Sequence, residues 1–245
     1  MARKNLLVTG GSRGIGHCVA LKAAEDGWDV CVNYVSNSAR ADETVALVEK
    51  AGGKAIAVQA DITKEADVVR LFETATEQLG PLEGMVNSAG IVEPYGRLDE
   101  LKYEELLPLI DINVTAAIIC AREAVKHMST THGGEGGSIV LLSSVASRLG
   151  APGFCIPYAA SKAAVDALGW GLSQEVSKEN IRVNVVSPGV IDTEIQPAGR
   201  VEEAGPKLPA GRVGQPEEVA EAILFLLSDK ASYVSGTNMA VSYAR

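Results

Sequence analysis

TGGSRGIG, residues 9–16, follows a short apolar run at 6–9 and opens a helical pattern at 15–26. Glycine at such a junction lets the chain turn tightly and lets backbone approach a ligand. The first turn of the helix meanwhile offers unpaired N–H groups and the positive end of its dipole. Strand, glycine-rich turn and helix together make a seat for a pyrophosphate. Outward from this stretch the same rhythm repeats. β-rich runs at 30–33, 55–59, 84–87, 138–142, 182–186 and 238–241 alternate with helical patterns at 39–50, 64–78, 117–128 (part of a longer helix), 157–177 and 216–227. Parallel strands need crossover helices. The alternation therefore predicts an α/β architecture, a doubly wound parallel sheet of about seven strands with helices on both faces.

A chain of 245 residues that is 47% hydrophobic can bury one large core, and a single domain spanning 1–245 is expected. The irregular stretch 192–214, with Pro197, Pro206 and Pro209, is longer than a routine connection and reads as a substrate lid. Acidic residues outnumber basic ones 31 to 22, for a net charge of −9, with no basic block. That balance argues against nucleic acid or an anionic membrane as partner and leaves small molecules. Cys18, Cys31, Cys120 and Cys155 are scattered, as expected of reduced thiols in a cytoplasmic protein, and no run approaches a membrane span. His17, His127 and His132 show no metal-ligand spacing, so no metal is expected and solvated or capping roles suffice.

PYAASKAAV, residues 157–165, sets Tyr158 and Lys162 four residues apart in an Ala-rich run, on one helical face. Such spacing is common, and chemistry must give it meaning. Reducing a ketone requires hydride on carbon and a proton on oxygen as negative charge develops there. A tyrosine, with a pKa of about 10, is an acid at neutral pH and a poor base unless a nearby ammonium favours phenolate. Lys162 is placed to supply that charge. Ser144, ending an apolar strand, is suited to hydrogen-bond the substrate oxygen.

The glycine spacing GxxxGxG of residues 10–16 resembles that of the short-chain dehydrogenase/reductase superfamily. The resemblance continues through Asp61 in ADIT, NSAG at 87–90, Asn113 in INVT, Ser144 in LLSSVAS, YAASK at 158–162 and SPGVIDT at 187–193, covering essentially the whole chain. It implies a Rossmann-type, three-layer α/β/α fold and a nicotinamide cofactor. Gly10, Ser12, Arg13, Gly14, Ile15 and Gly16 would hold the pyrophosphate end. Asp61 and Ile62 would contact adenine, and Asn87, Ala89 and Gly90 would line the cofactor; Ser88 replaces the commoner Asn of that motif. Pro188, Gly189, Ile191 and Thr193 would reach the nicotinamide side. Tyr158 would be the acid/base, Lys162 would also bind the nicotinamide ribose, and Asn113 would position a water linking Lys162 to solvent. The family is commonly tetrameric, so a homotetramer is expected.

The choice of nicotinamide follows from charge. An acid after the second strand would bind ribose hydroxyls and repel a 2′-phosphate. Here the strand ends in VNYVS, with Asn33, Tyr34 and Ser36, while Arg13 in the turn offers a guanidinium to a phosphate. NADP(H) is the expected cofactor.

Glu93, Tyr95, Ser147, Arg148, Phe154, Cys155, Ile156, Val190 and the lid are expected to shape the substrate pocket. A small ketone or secondary alcohol is the favoured substrate, with 3-oxoacyl-[acyl-carrier-protein] reductase and glucose-type sugar dehydrogenase as alternatives. A non-catalytic NADP(H)-binding redox sensor is the non-enzyme alternative, disfavoured because Asn113, Ser144, Tyr158 and Lys162 stand together. Carrier-protein docking calls for basic residues near the active-site mouth. In the corresponding stretches, HGGEGG at 132–137 and SKEN at 177–180, Glu179 stands where such reductases often carry a basic residue, which with the net charge of −9 disfavours docking of an acidic carrier protein. At the C-terminus Tyr243-Ala244 stands where the family commonly has Gly-Gly, a change expected to bear on subunit packing.

Overall fold

The computed structural model describes residues 3–244. The chain runs β1 (Lys4–Thr9), α1 (Gly14–Glu25), β2 (Trp28–Tyr34), α2 (Ser38–Lys50), β3 (Ala55–Gln59), α3 (Glu65–Leu79) and β4 (Gly84–Asn87). It continues with α4 (Tyr103–Ile110), a π-helical turn (Asp111–Thr115), α5 (Ala116–Met128), β5 (Gly137–Leu142), α6 (Ala146–Leu149) and α7 (Ile156–Glu175). Last come β6 (Ile181–Pro188), α8 (Arg200–Ala204), α9 (Pro216–Leu227) and β7 (Asn238–Val241). The strands form one parallel sheet in the order β3-β2-β1-β4-β5-β6-β7, so the direction of winding reverses between β1 and β4. A ligand crevice forms at such a reversal, beyond the C-terminal strand ends.

Alternation along the strands divides the core. Leu6 and Val8 of β1 face one way with Val30, Val32, Val86 and Val140, beneath α1 and α9. Leu7 faces the other way with Cys31, Met85, Ile139 and Leu141, beneath α3, α5 and α7. Both faces of these strands are thus dry, which is why they read as continuous apolar runs rather than alternating ones.

Several expectations change in detail. The helix read as starting before residue 117 is three pieces, α4, the π turn and α5, and the turn places Asn113 in the interior. The stretch 192–214 is a closed loop. Asp192 N donates to Gly214 O (2.9 Å), and Gly214 N donates to Val190 O (2.9 Å). His17 and His127 are partly buried cross-links rather than solvated or capping groups. Nδ1 of His17 lies 2.7 Å from Thr44 Oγ1, joining α1 to α2, and Nδ1 of His127 lies 3.1 Å from Thr76 Oγ1, joining α5 to α3. Burial lowers the pKa of both. All four cysteines are free and buried, and burial pushes the thiols of Cys18, Cys31 and Cys120 up to about 12. Among the described residues no helix is long and apolar enough to cross a membrane, and no group of His, Cys, Asp and Glu is placed to hold a metal ion.

Candidate active site

The crevice at the winding reversal is a cleft of about 1200 Å³. Its floor at one end is the glycine-rich turn. The N-terminus of α1 receives no hydrogen bond from the side chain of its capping residue, Arg13, and has no acid in its first turn. Its free N–H donors open onto the cleft beside Gly10, Ser12, Gly14 and Ile15, where an anion would satisfy them. Gly14 takes φ +53, and Gly16 does not line the cleft at all. A Cβ on Gly16 would lie 2.4 Å from Gly10 O, so this glycine lets the helix press against the turn.

Braces hold the turn in shape. Asn33 Oδ1 accepts from Gly10 N (3.2 Å), and Asn33 Nδ2 donates to Ala60 O (3.0 Å). The residue is 1% exposed, so its amide is spent on backbone and acts on a cofactor through the turn it braces. Thr9 performs the matching task between β1 and β4: its hydroxyl donates to Asn87 Oδ1 (3.0 Å) and accepts from Ser88 N (3.1 Å) and Ala89 N (3.2 Å). Asn87 is thereby turned away from the cleft, while Ala89 and Gly90 line it. Sequence reading passed over Thr9, whose position at the C-terminal end of β1 was the available signal.

Along the rim, Tyr34, Ser36, Asp61 and Ile62 line the cleft with Arg13. Asp61 Oδ1 accepts from Thr63 Oγ1 (2.7 Å) and Thr63 N (3.1 Å); the first of these bonds does most to lower its pKa. Pro188, Gly189, Ile191 and Thr193 close the side below β6. Arg40 and Glu194 also line this rim and were not read from the sequence.

At the other end Tyr158 enters from the first turn of α7 and Lys162 from the next. Lys162 Nζ lies 5.8 Å from the Tyr158 ring centroid and donates to Leu142 O (2.8 Å). Ser143 Oγ donates to Lys162 O (3.0 Å) and fixes that turn of helix against β5. Burial pushes the Tyr158 phenol up to about 12, against a smaller downward pull from the Ser144 hydroxyl. Burial also lowers Lys162 to about 8, against a smaller pull upward from Asp166. The expectation that Lys162 brings the phenol down is therefore reversed in the chain by itself. Lys162 is buried and Tyr158 partly buried, and the loss of solvation outweighs their proximity. At neutral pH Tyr158 is a protonated acid and Lys162 a cation.

Asn113 does not line the cleft. Its Oδ1 accepts from Ile91 N (2.9 Å), and its Nδ2 donates to Ile91 O (2.9 Å) and Ser161 Oγ (3.0 Å). With both amide hydrogens engaged, the side chain ties the loop after β4 and the π turn to α7, and positions rather than touches the reacting groups. A Cβ on Gly90 would lie 3.1 Å from Asn113 Oδ1 and 3.5 Å from Lys162 Nζ, so glycine there leaves open the space beside the lysine. That cradle, together with the uncapped α1 terminus, fits a dinucleotide lying from the turn to Lys162.

The expected substrate wall is only partly assembled. Glu93, Tyr95, Ser147, Arg148, Phe154, Cys155, Ile156 and Val190 do not line the cleft; Leu107, Pro108, Ile110, Ile112 and Thr115 do, from α4 and the π turn. Tyr95 instead stacks on Phe154 at 5.0 Å, and the Arg200 guanidinium lies 4.8 Å from the Phe154 ring centroid, joining the 192–214 loop to the loop before α7. The stretches 132–137 and 177–180 lie at the end of the sheet opposite the cleft in this chain. They flank the N-terminal ends of β5 and β6, and Glu179 accepts a hydrogen bond from Ser129. Their charges therefore say nothing about the mouth of the chain's own cleft.

The family described as enoyl-(acyl carrier protein) reductase matches residues 10–243. An uncharacterised oxidoreductase of Escherichia coli, YgfF, is 49% identical, covering 94% of this chain and 95% of its own. Glucose 1-dehydrogenase 2 of Bacillus subtilis is 35% identical, covering 97% and 93%. A short-chain dehydrogenase from Burkholderia cenocepacia, crystallised in complex with NADP, superposes with a TM-score of 0.91 at 33% identity, covering 98% of this chain and 96% of its own. Likeness of that extent, over a sheet whose winding reversal carries the cleft, makes the chain a member of the short-chain dehydrogenase/reductase family, nicotinamide-dependent oxidoreductases acting on CH–OH or C=O groups.

Proposed function

We propose that the protein is an NADPH-dependent carbonyl reductase for small ketones. The observation that carries this reading is the geometry of the cleft: an uncapped helix N-terminus beside Arg13 at one end and, at the other, Tyr158 and Lys162 one helical turn apart, with Lys162 Nζ 5.8 Å from the phenol ring centroid. A protonated Tyr158, the form that burial favours, can give its proton to a carbonyl oxygen as reduction demands. Gly10, Ser12, Arg13, Gly14 and Ile15 would hold the cofactor's pyrophosphate, with Gly16 shaping the turn. Tyr34, Ser36, Asp61 and Ile62 would hold the adenosine, and Ala89, Gly90, Lys162, Pro188, Gly189, Ile191 and Thr193 the nicotinamide ribonucleotide, while Asn33 and Asn87 act through their braces. The bound nicotinamide supplies the hydride. Ser144 steadies the substrate oxygen, Lys162 keeps positive charge beside the oxyanion as it forms, and Asn113 fixes the helix that carries Tyr158 and Lys162.

Support for NADPH over NADH comes from Arg13 on the rim and from the absence of an acid at the end of β2. Exposed apolar side chains away from the cleft, Tyr103 on α4, Ile118 on α5 and Trp170 on α7, suit a further subunit, in keeping with a homotetramer. Tyr158→Phe tests the mechanism: ketone reduction should fall by about three orders of magnitude while NADPH still binds with near wild-type Kd. Retained turnover would remove Tyr158 from the chemistry.

A further inference from the structure

Arg200 opens α8, where Gly199 takes φ +77 and Arg200 N donates to Pro197 O (3.0 Å). Its guanidinium is carried across to Phe154, with Cζ 4.8 Å from the ring centroid. Phe154 is itself held twice: its ring stacks on Tyr95 at 5.0 Å, and its carbonyl accepts from Gly96 N (2.9 Å). Cys155 follows directly, and both Cys155 and Tyr95 are near enough to Tyr158 to act on its phenol, while Arg200 acts on Cys155. The same 192–214 loop lines the cleft through Ile195 and Gln196, so Arg200 stands four residues beyond that lining, on an aromatic platform beside the reacting phenol. Among the described residues Arg200 makes no ion pair and no side-chain hydrogen bond. Glu203, on which it acts from a distance, is paired with Lys207 at 2.7 Å. The other partly buried arginines, Arg3, Arg40 and Arg182, each have a carboxylate or backbone carbonyls in hydrogen-bond contact.

We propose that Arg200 is a specificity-determining residue that anchors the carboxylate of an anionic ketone, so that the substrates of this site are oxo acids. The inference rests on the carbonyl-reductase reading of the site and deepens it. A guanidinium laid over a ring keeps its in-plane N–H donors for a second partner, and a carboxylate matches their fork with two parallel hydrogen bonds. Partial burial has already removed some of its water, so the pair is stronger than one on an open surface. At a net charge of −9 the long-range field of the chain draws no anion in, and selection for a carboxylate falls to this local cation. Phe154 and Tyr95 offer an apolar wall to the carbon chain. The carboxylate takes no part in the chemistry: the Tyr158 proton goes to the ketone oxygen and the hydride to its carbon, and the product is a hydroxy acid.

Steady-state kinetics with NADPH on acetoacetate, levulinate, their methyl esters and butanone, in wild type, Arg200→Gln and Arg200→Lys, tests the proposal. Wild type should favour the better of the two acids over its methyl ester by about tenfold or more in kcat/KM. Arg200→Gln should bring that ratio to about one, with the loss in KM rather than kcat, and Arg200→Lys should restore part of it. No turnover of any carbonyl, charged or neutral, would sink the carbonyl-reductase reading itself. Esters or butanone reduced as well as the acids, or better, would leave that reading standing and overturn this inference. An acid preference that survives unchanged in Arg200→Gln would overturn it as well, by placing the anchor elsewhere. Equal loss of acid, ester and butanone turnover in Arg200→Gln would also overturn it, by making Arg200 a folding contact of the 192–214 loop.

Discussion

At the glycine-rich end of the cleft the groups that meet a ligand are backbone N–H donors and half-exposed arginines. At the Tyr158 end they are buried and half-buried side chains, the phenol pushed up to about 12 and the lysine down to about 8 by lost solvation. The first end works by shape and long-range charge, so each side chain contributes modestly and can be exchanged. The second works by desolvation, so one substitution alters the state of its neighbours. The contrast teaches where sensitivity to mutation and to pH should be concentrated.

After Tyr158→Phe, the largest effect is expected from Lys162→Met, which removes the cation beside the developing oxyanion: kcat/KM for ketone reduction should drop about 10²- to 10³-fold, measured by steady-state kinetics. A loss below tenfold would erase the contrast between the two ends. Next is pH. Lys162, lowered to about 8, passes from ammonium to amine between about pH 7 and about pH 9, while Tyr158, at about 12, keeps its proton. The kcat/KM for NADPH, which reports the free enzyme, should therefore fall as pH rises through about 8, along a one-proton limb. A profile flat to pH of about 10 would show that Lys162 is not the titrating group.

Smaller effects belong to the other end. Arg13→Ala should raise the KM for NADPH about tenfold and leave that for NADH unchanged, because one exposed guanidinium among several donors is lost. An unchanged NADPH preference would place the selecting charge elsewhere. The smallest effect lies outside both ends. Tyr243 and Ala244 take φ +47 and +64, the left-handed backbone that glycine adopts without penalty. Tyr243→Gly should relieve about 1 kcal/mol of strain and raise Tm by about 2 °C in thermal melts. A lower Tm would show that the exposed Tyr243 ring is making a stabilising contact.

How legible each end was in the sequence follows from the same contrast. TGGSRGIG announced the turn because backbone needs are written as glycines at fixed spacing, and the parallel sheet followed from the strand-helix alternation. YAASK gave the position of the acid and its lysine, since i and i+4 fix a common helical face. Their protonation states were not legible. These depend on how much protein covers them, and the reading that the lysine would lower the phenol took proximity without burial. Asn113 and Asn33 were found by motif and by strand position, but their partners, Ile91, Ser161, Gly10 and Ala60, come from other elements. Arg40 could have been found, because helices following the strands of such a sheet begin at the cleft edge, and Asn37 marks that start. Glu194 could not, since its hydrogen bond to Arg40 of α2 depends on the path of an irregular loop. The substrate wall was legible only in part: Tyr95 and Cys155 stand near enough to Tyr158 to act on its phenol, but Tyr95 stacks on Phe154, and α4 supplies apolar cleft surface that no motif announced.

The central claim is that this cleft reduces ketones with NADPH. The direct measurement is the initial rate of reduced-cofactor consumption by the wild-type protein with a panel of small ketones, sugars and acyl thioesters, run in parallel with NADPH and NADH. Turnover of at least one small ketone is expected, with kcat/KM higher for NADPH than for NADH. NADPH binding with no turnover of any carbonyl in the panel, or a clear preference for NADH, would contradict it.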